Sequence, residues 1–265
     1  MAAGLGLAIA WLISALLAAP VAAMLAPTLS GANYRGAVIP SGLGLVQLMA
    51  ALGGLGSLRL LGWLEEESFF LAAFWLTLVS LAGLVDDAVG NKSSRGFRGH
   101  FAALFRGRLT TGMVKVVMVS GGALALADWL GGWAGIAEWG VLVLAVSLFN
   151  QLDLRPGRAL KSVIFLSVPL ALAGSLSAAV ACGGALGLLP GDLRAKYMLG
   201  DSGANLLGAL LGLSLIRTLG TYWLWIVLVL LVLANALGEF VSFSRLIAAS
   251  RFLLWLDQLG RQAGK

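Results

Sequence analysis

GLVDDAVGNKSSRGFRGHFAALFRGRLTTGMVK, residues 83–115, is the stretch on which the reading of this chain turns. An apolar run of membrane-spanning length ends in two adjacent carboxylates, Asp86 and Asp87. It passes at once into a loop carrying Lys92, Arg95, Arg98, His100, Arg106 and Arg108. If 69–85 is a helix, its carboxyl end already holds the negative pole of the macrodipole. Two further negative charges there are unfavourable unless a cation neutralises them. A bound metal ion or the basic loop could supply that charge. A helix stop with solvated charges would explain one Asp. A pair followed by six basic or imidazole side chains points instead to a functional site at a membrane surface.

The composition agrees. Of 265 residues, 60% are hydrophobic and 11% charged, and the mean hydropathy is +0.95, values that no water-soluble domain needs. The chain is expected to be a polytopic membrane protein with the lipid bilayer as its partner. Its 36 glycines suit a tightly packed bundle, because small residues let membrane helices approach closely. Cys182 is the only cysteine, so an intrachain disulfide and a thiolate metal site are both excluded. Residues 5–29 are apolar with no basic region before them, and are expected to be a retained span and not a cleaved signal.

Runs of roughly 17 to 25 apolar residues mark spans. Nine candidates follow, two of them short: 5–29, 42–61, 69–85, 111–130, 137–152, 161–176, 177–189, 204–219 and 222–240. The sixth and seventh must form a tight hairpin. Sixteen of the 18 Lys and Arg residues then fall on one side, with only Arg59 and Arg217 on the other. The positive-inside rule therefore places the amino terminus outside and the carboxyl terminus in the cytoplasm. The net charge of +6 is explained by topology, and nucleic-acid binding loses its support.

In this orientation four polar clusters share the cytoplasmic face: Asn33-Tyr34-Arg35-Gly36, the opening stretch, Asn150 to Arg158, and Lys196 to Asn205. Such convergence suits a site for a charged cytosolic substrate. No internal repeat or linker divides the chain, so the fold class is all-α, one transmembrane helical domain over 1–240. Residues 241–265 interleave Phe243, Leu253, Trp255 and Leu259 with Arg245, Arg251, Asp257 and Arg261. They are expected to form an amphipathic helix lying in the interface as an anchor.

Asp86, Asp87, Asp153 and Asp201 are the acids at span ends on that face. Carboxylates near membrane depth are costly and mark function. Magnesium needs only one or two of them beside a phosphate binder. Asp201 has a rival role, since Gly200-Asp201-Ser202-Gly203 precedes an apolar run and Asp or Ser is a good N-cap. That helix start would itself attract phosphate. Arg155, Arg158 and Lys161 could fork phosphate oxygens, or be retained by topology alone. Lys115, one turn inside the fourth span, is harder to assign to topology and could hold a diphosphate. His100, the only histidine, reads first as a loop residue and not as a general base, with direct phosphate contact as the lesser alternative. No Gly-x-x-x-x-Gly-Lys-Ser/Thr loop occurs.

Asp86-Asp87 at a span end, the Asn150 to Gly157 segment, and Leu199-Gly200-Asp201-Ser202-Gly203 opening another span resemble, in order and spacing, the polyprenyl-phosphate sugar-1-phosphate transferases. That superfamily includes phospho-N-acetylmuramoyl-pentapeptide transferase and bacterial N-acetylglucosamine-1-phosphate transferases. The similarity covers about 33–240. It implies transfer of a sugar 1-phosphate from a UDP-sugar to undecaprenyl phosphate, releasing UMP, at the bacterial cytoplasmic membrane in envelope glycan synthesis.

By the same resemblance Mg2+, with Mn2+ as the alternative, would be held by Asp201 with Asp87. Asp86, Asp87 and Lys115 would be catalytic. Asn33, Arg35, Arg98, His100, Asn150, Asp153, Arg155 and Arg158 would bind substrate, Asn150 and Asp153 together lining the nucleotide pocket. The chain departs from the pattern where Arg155, Pro156, Gly157 and Arg158 replace further aspartates, and it carries no histidine-rich loop near the carboxyl end. A silent relative that binds the lipid phosphate and scaffolds envelope enzymes is the alternative. A transporter is disfavoured because the charges avoid the midplane. A homodimer is left open.

Overall fold

The computed structural model describes residues 1–89, 106–107, 110–130 and 134–262. Among these residues the chain is an all-α bundle with one small hairpin. Helix α1 (Ala2–Leu25) leads into strands β1 (Ser30–Ala32) and β2 (Val38–Pro40). There follow α2 (Gly44–Leu60), α3 (Glu66–Val89), α4 (Thr111–Leu130), α5 (Ala134–Leu152) and α6 (Arg158–Leu172). Then come α7 (Leu176–Leu193), α8 (Gly200–Thr218), α9 (Thr221–Phe240), α10 (Phe243–Ala249) and α11 (Arg251–Gln258). Each of the nine apolar runs contains a helix. Five, namely α1, α3, α5, α7 and α9, are long and apolar enough to cross a membrane, while α2 and residues 111–127 of α4 are shorter apolar helices.

Helix α8 is the middle of the bundle. It packs against α2, α3, α5, α6 and α7, and its residues 202–214 are all buried. A helix buried all round has no polar face to spare, yet Ser202, Asn205 and Ser214 lie in it fully buried. Around it the helices close up through small residues. A side chain at Gly183 of α7 would overlap the Leu7 carbonyl of α1, and one at Gly187 would overlap the Trp11 carbonyl. Backbones can therefore meet along α1 and α7, which is how helices associate where no hydrophobic force separates helix from lipid.

Two boundaries differ from those the apolar runs suggest. The sixth and seventh helices divide at Ala173–Ser175, because the Ser175 hydroxyl accepts the Ala178 N–H and starts α7 there. Helix α7 thus runs on to Leu193, well past the expected 189. The hairpin is an addition to the all-α expectation. Its register is Ser30↔Pro40, Gly31↔Ile39 and Ala32↔Val38, too short a pairing for alternation to show in the sequence. It positions the next element. The Met198 N–H donates to the Pro40 carbonyl at 2.8 Å, and the Gly44 N–H donates to the Leu199 carbonyl at 3.1 Å, so the hairpin end and the start of α2 hold the chain entering α8.

The segment after Phe240 is two helices where one was expected. Ser250 is extended between them, and its hydroxyl accepts the Leu253 N–H to begin α11. Nor is the segment only an anchor. Arg158 pairs with Asp257 through Nε at 2.8 Å and a terminal nitrogen at 3.1 Å, both side chains being buried. Arg261 reaches the same carboxylate at 2.7 Å. Lys161 Nζ donates to the carbonyls of Leu256, Asp257 and Leu259, closing α11 as a basic side chain at a helix end does. Arg158 is therefore corrected from a substrate ligand to a clamp on α11. Its partner lies 99 residues away in sequence, beyond the reach of any local pattern.

Burial opposes ionisation of Asp257, but hydrogen bonds from Arg158 and then Arg261 prevail and hold its carboxyl below the ordinary value. A lowered folded-state pKa gives stability that is present above the unfolded value of about 4 and lost as pH falls through the folded one. Arg158→Ala should cost about 3–5 kcal/mol of local stability, as breaking a buried pair does. The check is faster hydrogen exchange over 243–258 at neutral pH. The same loosening is expected in the wild-type chain only below about pH 4.

Candidate active site

Three helix ends converge on one point: the carboxyl end of α3, the amino end of α4 and the amino end of α8. Thr111 and Lys115 lie one turn apart on α4, so both face the same way. The Thr111 hydroxyl donates to Asp86 Oδ1 at 2.5 Å. Lys115 Nζ donates to Asp86 Oδ2 at 2.9 Å and to Asp201 Oδ2 at 2.6 Å. One ammonium thus joins two carboxylates from two helices.

Asp87 has a different task. Adjacent helical residues point about 100° apart, and Asp87 faces the start of α8. Its Oδ1 accepts the Asp201 N–H at 2.8 Å and its Oδ2 accepts the Ser202 N–H at 3.0 Å. The cap of α8 therefore comes from α3, and Leu199, at the N-cap position, gives no side-chain cap. This corrects one expectation: Asp201 does not cap its own helix, because Asp87 already serves those donors. It also gives Asp87 a structural task that the metal-ligand expectation did not include.

The approach is close enough to demand glycine. Gly200 has φ +71°, and a side chain there would overlap the Asp87 carboxylate. Gly83 faces Ser202 and Gly44 faces Gly203 with no room for a Cβ.

Beside the cluster lies a cavity of about 230 Å³ between α4, α5, α8 and α9. Val116, Val119, Val143 and Val146 form its apolar wall, while Lys115, Ser147, Asn150, Gln151, Asn205 and Glu239 supply polar groups. Asn150 Nδ2 donates to Asn205 Oδ1 at 3.0 Å. The Asn205 amide nitrogen is fully buried and has no hydrogen-bond partner. A buried donor left unpaired costs roughly 1–3 kcal/mol, so it marks a place where a polar group belongs.

A second, smaller cavity of about 50 Å³ is lined by Asn33, Tyr34, Asp153, Arg155 and Tyr197. Asn150 and Asp153 therefore open on different cavities, and the expected shared pocket is corrected. The Asp153 N–H still bonds the Phe149 carbonyl at 3.1 Å, so Asp153 continues the last turn of α5 while its side chain lines the smaller cavity. Burial pushes the Asp153 carboxyl well above its ordinary value, with the Asp192 carboxylate adding to it.

The remaining expected residues divide. Asn33 is a turn former, its Oδ1 accepting the Arg35 N–H at 2.9 Å and the Ala37 N–H at 3.1 Å. It thus has a structural role as well as a place in the lining of the small cavity. Arg35 and Arg155 lie over the Tyr34 ring at 5.0 and 4.8 Å. Arg98 and His100 lie outside the described residues.

Thr111 and Asn205 were missed, although each sits four residues from a residue singled out, Lys115 and Asp201, and so on the same helix face. Among the described residues no group of three or more His, Cys, Asp or Glu side chains could hold a metal. Asp86 and Asp201 alone converge on one cation. Two carboxylates fit a magnesium ion that takes its other ligands from water and phosphate, and do not fit a closed zinc site.

Asp87→Ala should remove the cap of α8 and destabilise the bundle by about 0.5–2 kcal/mol. The measurement is the melting temperature in detergent. Asp201→Asn, which leaves the cap intact, should melt within a few degrees of wild type, and equal losses in the two variants would deny the division of roles. No protein-family model matches the chain, and no curated protein matches it.

Proposed function

We propose that the chain is a membrane-embedded transferase that moves a sugar 1-phosphate from a UDP-sugar to a polyprenyl phosphate and releases UMP. In this reading the nine helices α1 to α9, the shorter α2 and α6 included, cross a bacterial inner membrane, and the Asp86–Lys115–Asp201 cluster faces the cytoplasm. The observation that carries the reading is the juxtaposition of that cluster with the valine-walled cavity. Charged groups for phosphate and an apolar wall for a lipid chain meet at Lys115.

An oxygen of the lipid phosphate attacks the sugar-bearing phosphorus, a new P–O bond forms, and the bond to UMP breaks, the electron pair leaving with UMP. The attacking oxygen is already anionic near neutral pH, so positioning and charge neutralisation matter more than base catalysis. Lys115 holds phosphate oxygens. The unpaired Asn205 amide donates to the polar head of the lipid, and Val116, Val119, Val143 and Val146 exclude water around its chain. Asp87 holds the start of α8, and so Asp201, in register. Asp86 and Asp201 would carry magnesium, which when bound supplies positive charge against the diphosphate.

The test is UMP release by the protein in nanodiscs containing undecaprenyl phosphate and magnesium, across a panel of UDP-sugars. Release with one donor is expected, abolished by EDTA and lowered about a hundredfold or more by Asp201→Asn. Lys115→Ala should lose activity to a similar extent. Binding of the lipid phosphate without release from any donor would replace this reading with a silent scaffold.

A further inference from the structure

A third cavity, of about 560 Å³, lies between the Tyr34–Arg35 turn, the Arg155–Arg158 turn and the helices α10 and α11. Four guanidinium groups line it, those of Arg35, Arg155, Arg158 and Arg261, against the single carboxylate of Asp257. That carboxylate is already bonded to Arg158 and Arg261. The cavity therefore holds a surplus of cationic charge among its own walls. Arg35 uses one terminal nitrogen on the Gln262 carbonyl. Among the described residues the Arg155 guanidinium has no hydrogen bond or ion pair, only the face of Tyr34.

Retention of arginines on one side of a membrane needs no such geometry. Here one aromatic ring fixes two guanidinium groups, at 5.0 and 4.8 Å from its centroid. Cation–π contact orients the groups without neutralising them, so their N–H forks remain charged. Two other acids, Asp153 and Asp192, line the small cavity that Arg155 also borders. Asp192 accepts the Gly157 N–H, and burial favours the protonated form of Asp153. Even counted with Asp257, these two leave four guanidinium groups against three carboxylates. Guanidinium forks match the spacing and charge of phosphate oxygens.

We infer that the cavity under α10 and α11 is a binding site for a phosphate-bearing anion, held chiefly by Arg155 and Arg35 and separate from the Asp86–Lys115–Asp201 cluster. The phosphate belongs either to an acidic phospholipid or to a soluble phosphate compound. Phe252 and Trp255 on the exposed side of α11 put the cavity beside a lipid surface, where both sources have access.

The experiment uses the full chain in nanodiscs of zwitterionic lipid with EDTA, so that no metal bridges an anion to the carboxylates. Binding of inorganic pyrophosphate is measured by calorimetry. Retention of phosphatidylglycerol, doped into the nanodiscs, is measured by native mass spectrometry. Saturable binding of at least one probe is expected, weakened tenfold or more by Arg155→Ala and by the size-conserving Arg155→Gln, and retained in Lys115→Ala, which removes the cation of the carboxylate cluster. Pyrophosphate binding alone assigns the soluble source, and phospholipid retention alone assigns the lipid.

Three results would overturn the site: no saturable binding of either probe, binding indifferent to both Arg155 variants, or binding lost in Lys115→Ala. The last would trace the anion to the Asp86–Lys115–Asp201 cluster. Because metal and donor sugar are absent, failure here leaves the transferase assay unaffected, and failure of that assay leaves this one unaffected.

Discussion

The second and third backbone N–H groups of α8, those of Asp201 and Ser202, end on a carboxylate from another helix, and much of the site follows from that contact. A helix start leaves N–H donors without intrahelical partners. Where the surroundings are protein and lipid, water cannot be relied on to satisfy them. Asp87 meets two of them at 2.8 and 3.0 Å. Because it does, α3 and α8 are locked end to end, Gly200 and Gly83 have no room for side chains, and Asp86, one residue back, is turned towards α4. Asp201, relieved of capping, points at Lys115.

The surroundings of α8 explain why the cluster can sit so deep. The helix is walled in by five others and carries buried polar residues at one end, while the hairpin and the Tyr197–Leu199 segment hold its approach through main-chain bonds. A rigid entry is a condition for aiming side chains to within fractions of an ångström. The Tyr197 hydroxyl, buried and donating to the Leu188 carbonyl, ties that entry to α7 as well. The polar end of α8 is thus fastened to α2, α3 and α7 before any substrate arrives.

Much of this was legible in the sequence where the signal is local. Nine apolar runs became nine helices because each holds enough apolar residues to bury a face. The Asp86-Asp87 pair, Lys115 and Asp201 stood out because charge at a span end is costly, and the structure brings Asp86, Lys115 and Asp201 together. What was not legible depends on partners far along the chain. Asp87 caps donors 114 and 115 residues away, and Arg158 closes on an acid 99 residues away. Neither choice leaves a trace in spacing, so the capping task of Asp87 was hidden and Arg158 looked like a phosphate binder. The structural role of Asn33 was hidden for the opposite reason, since its bonds reach only two and four residues ahead and a turn former looks like any exposed polar residue.

Lys115 between Asp86 and Asp201 gives the bundle its own resident counter-ion. Two carboxylates brought together on separate helices repel one another, and an assembly that relied on a captured ion to quiet them would be unable to close until the ion came. With an ammonium supplied from α4, the chain carries the neutralising charge itself and can complete its packing without waiting for one from outside.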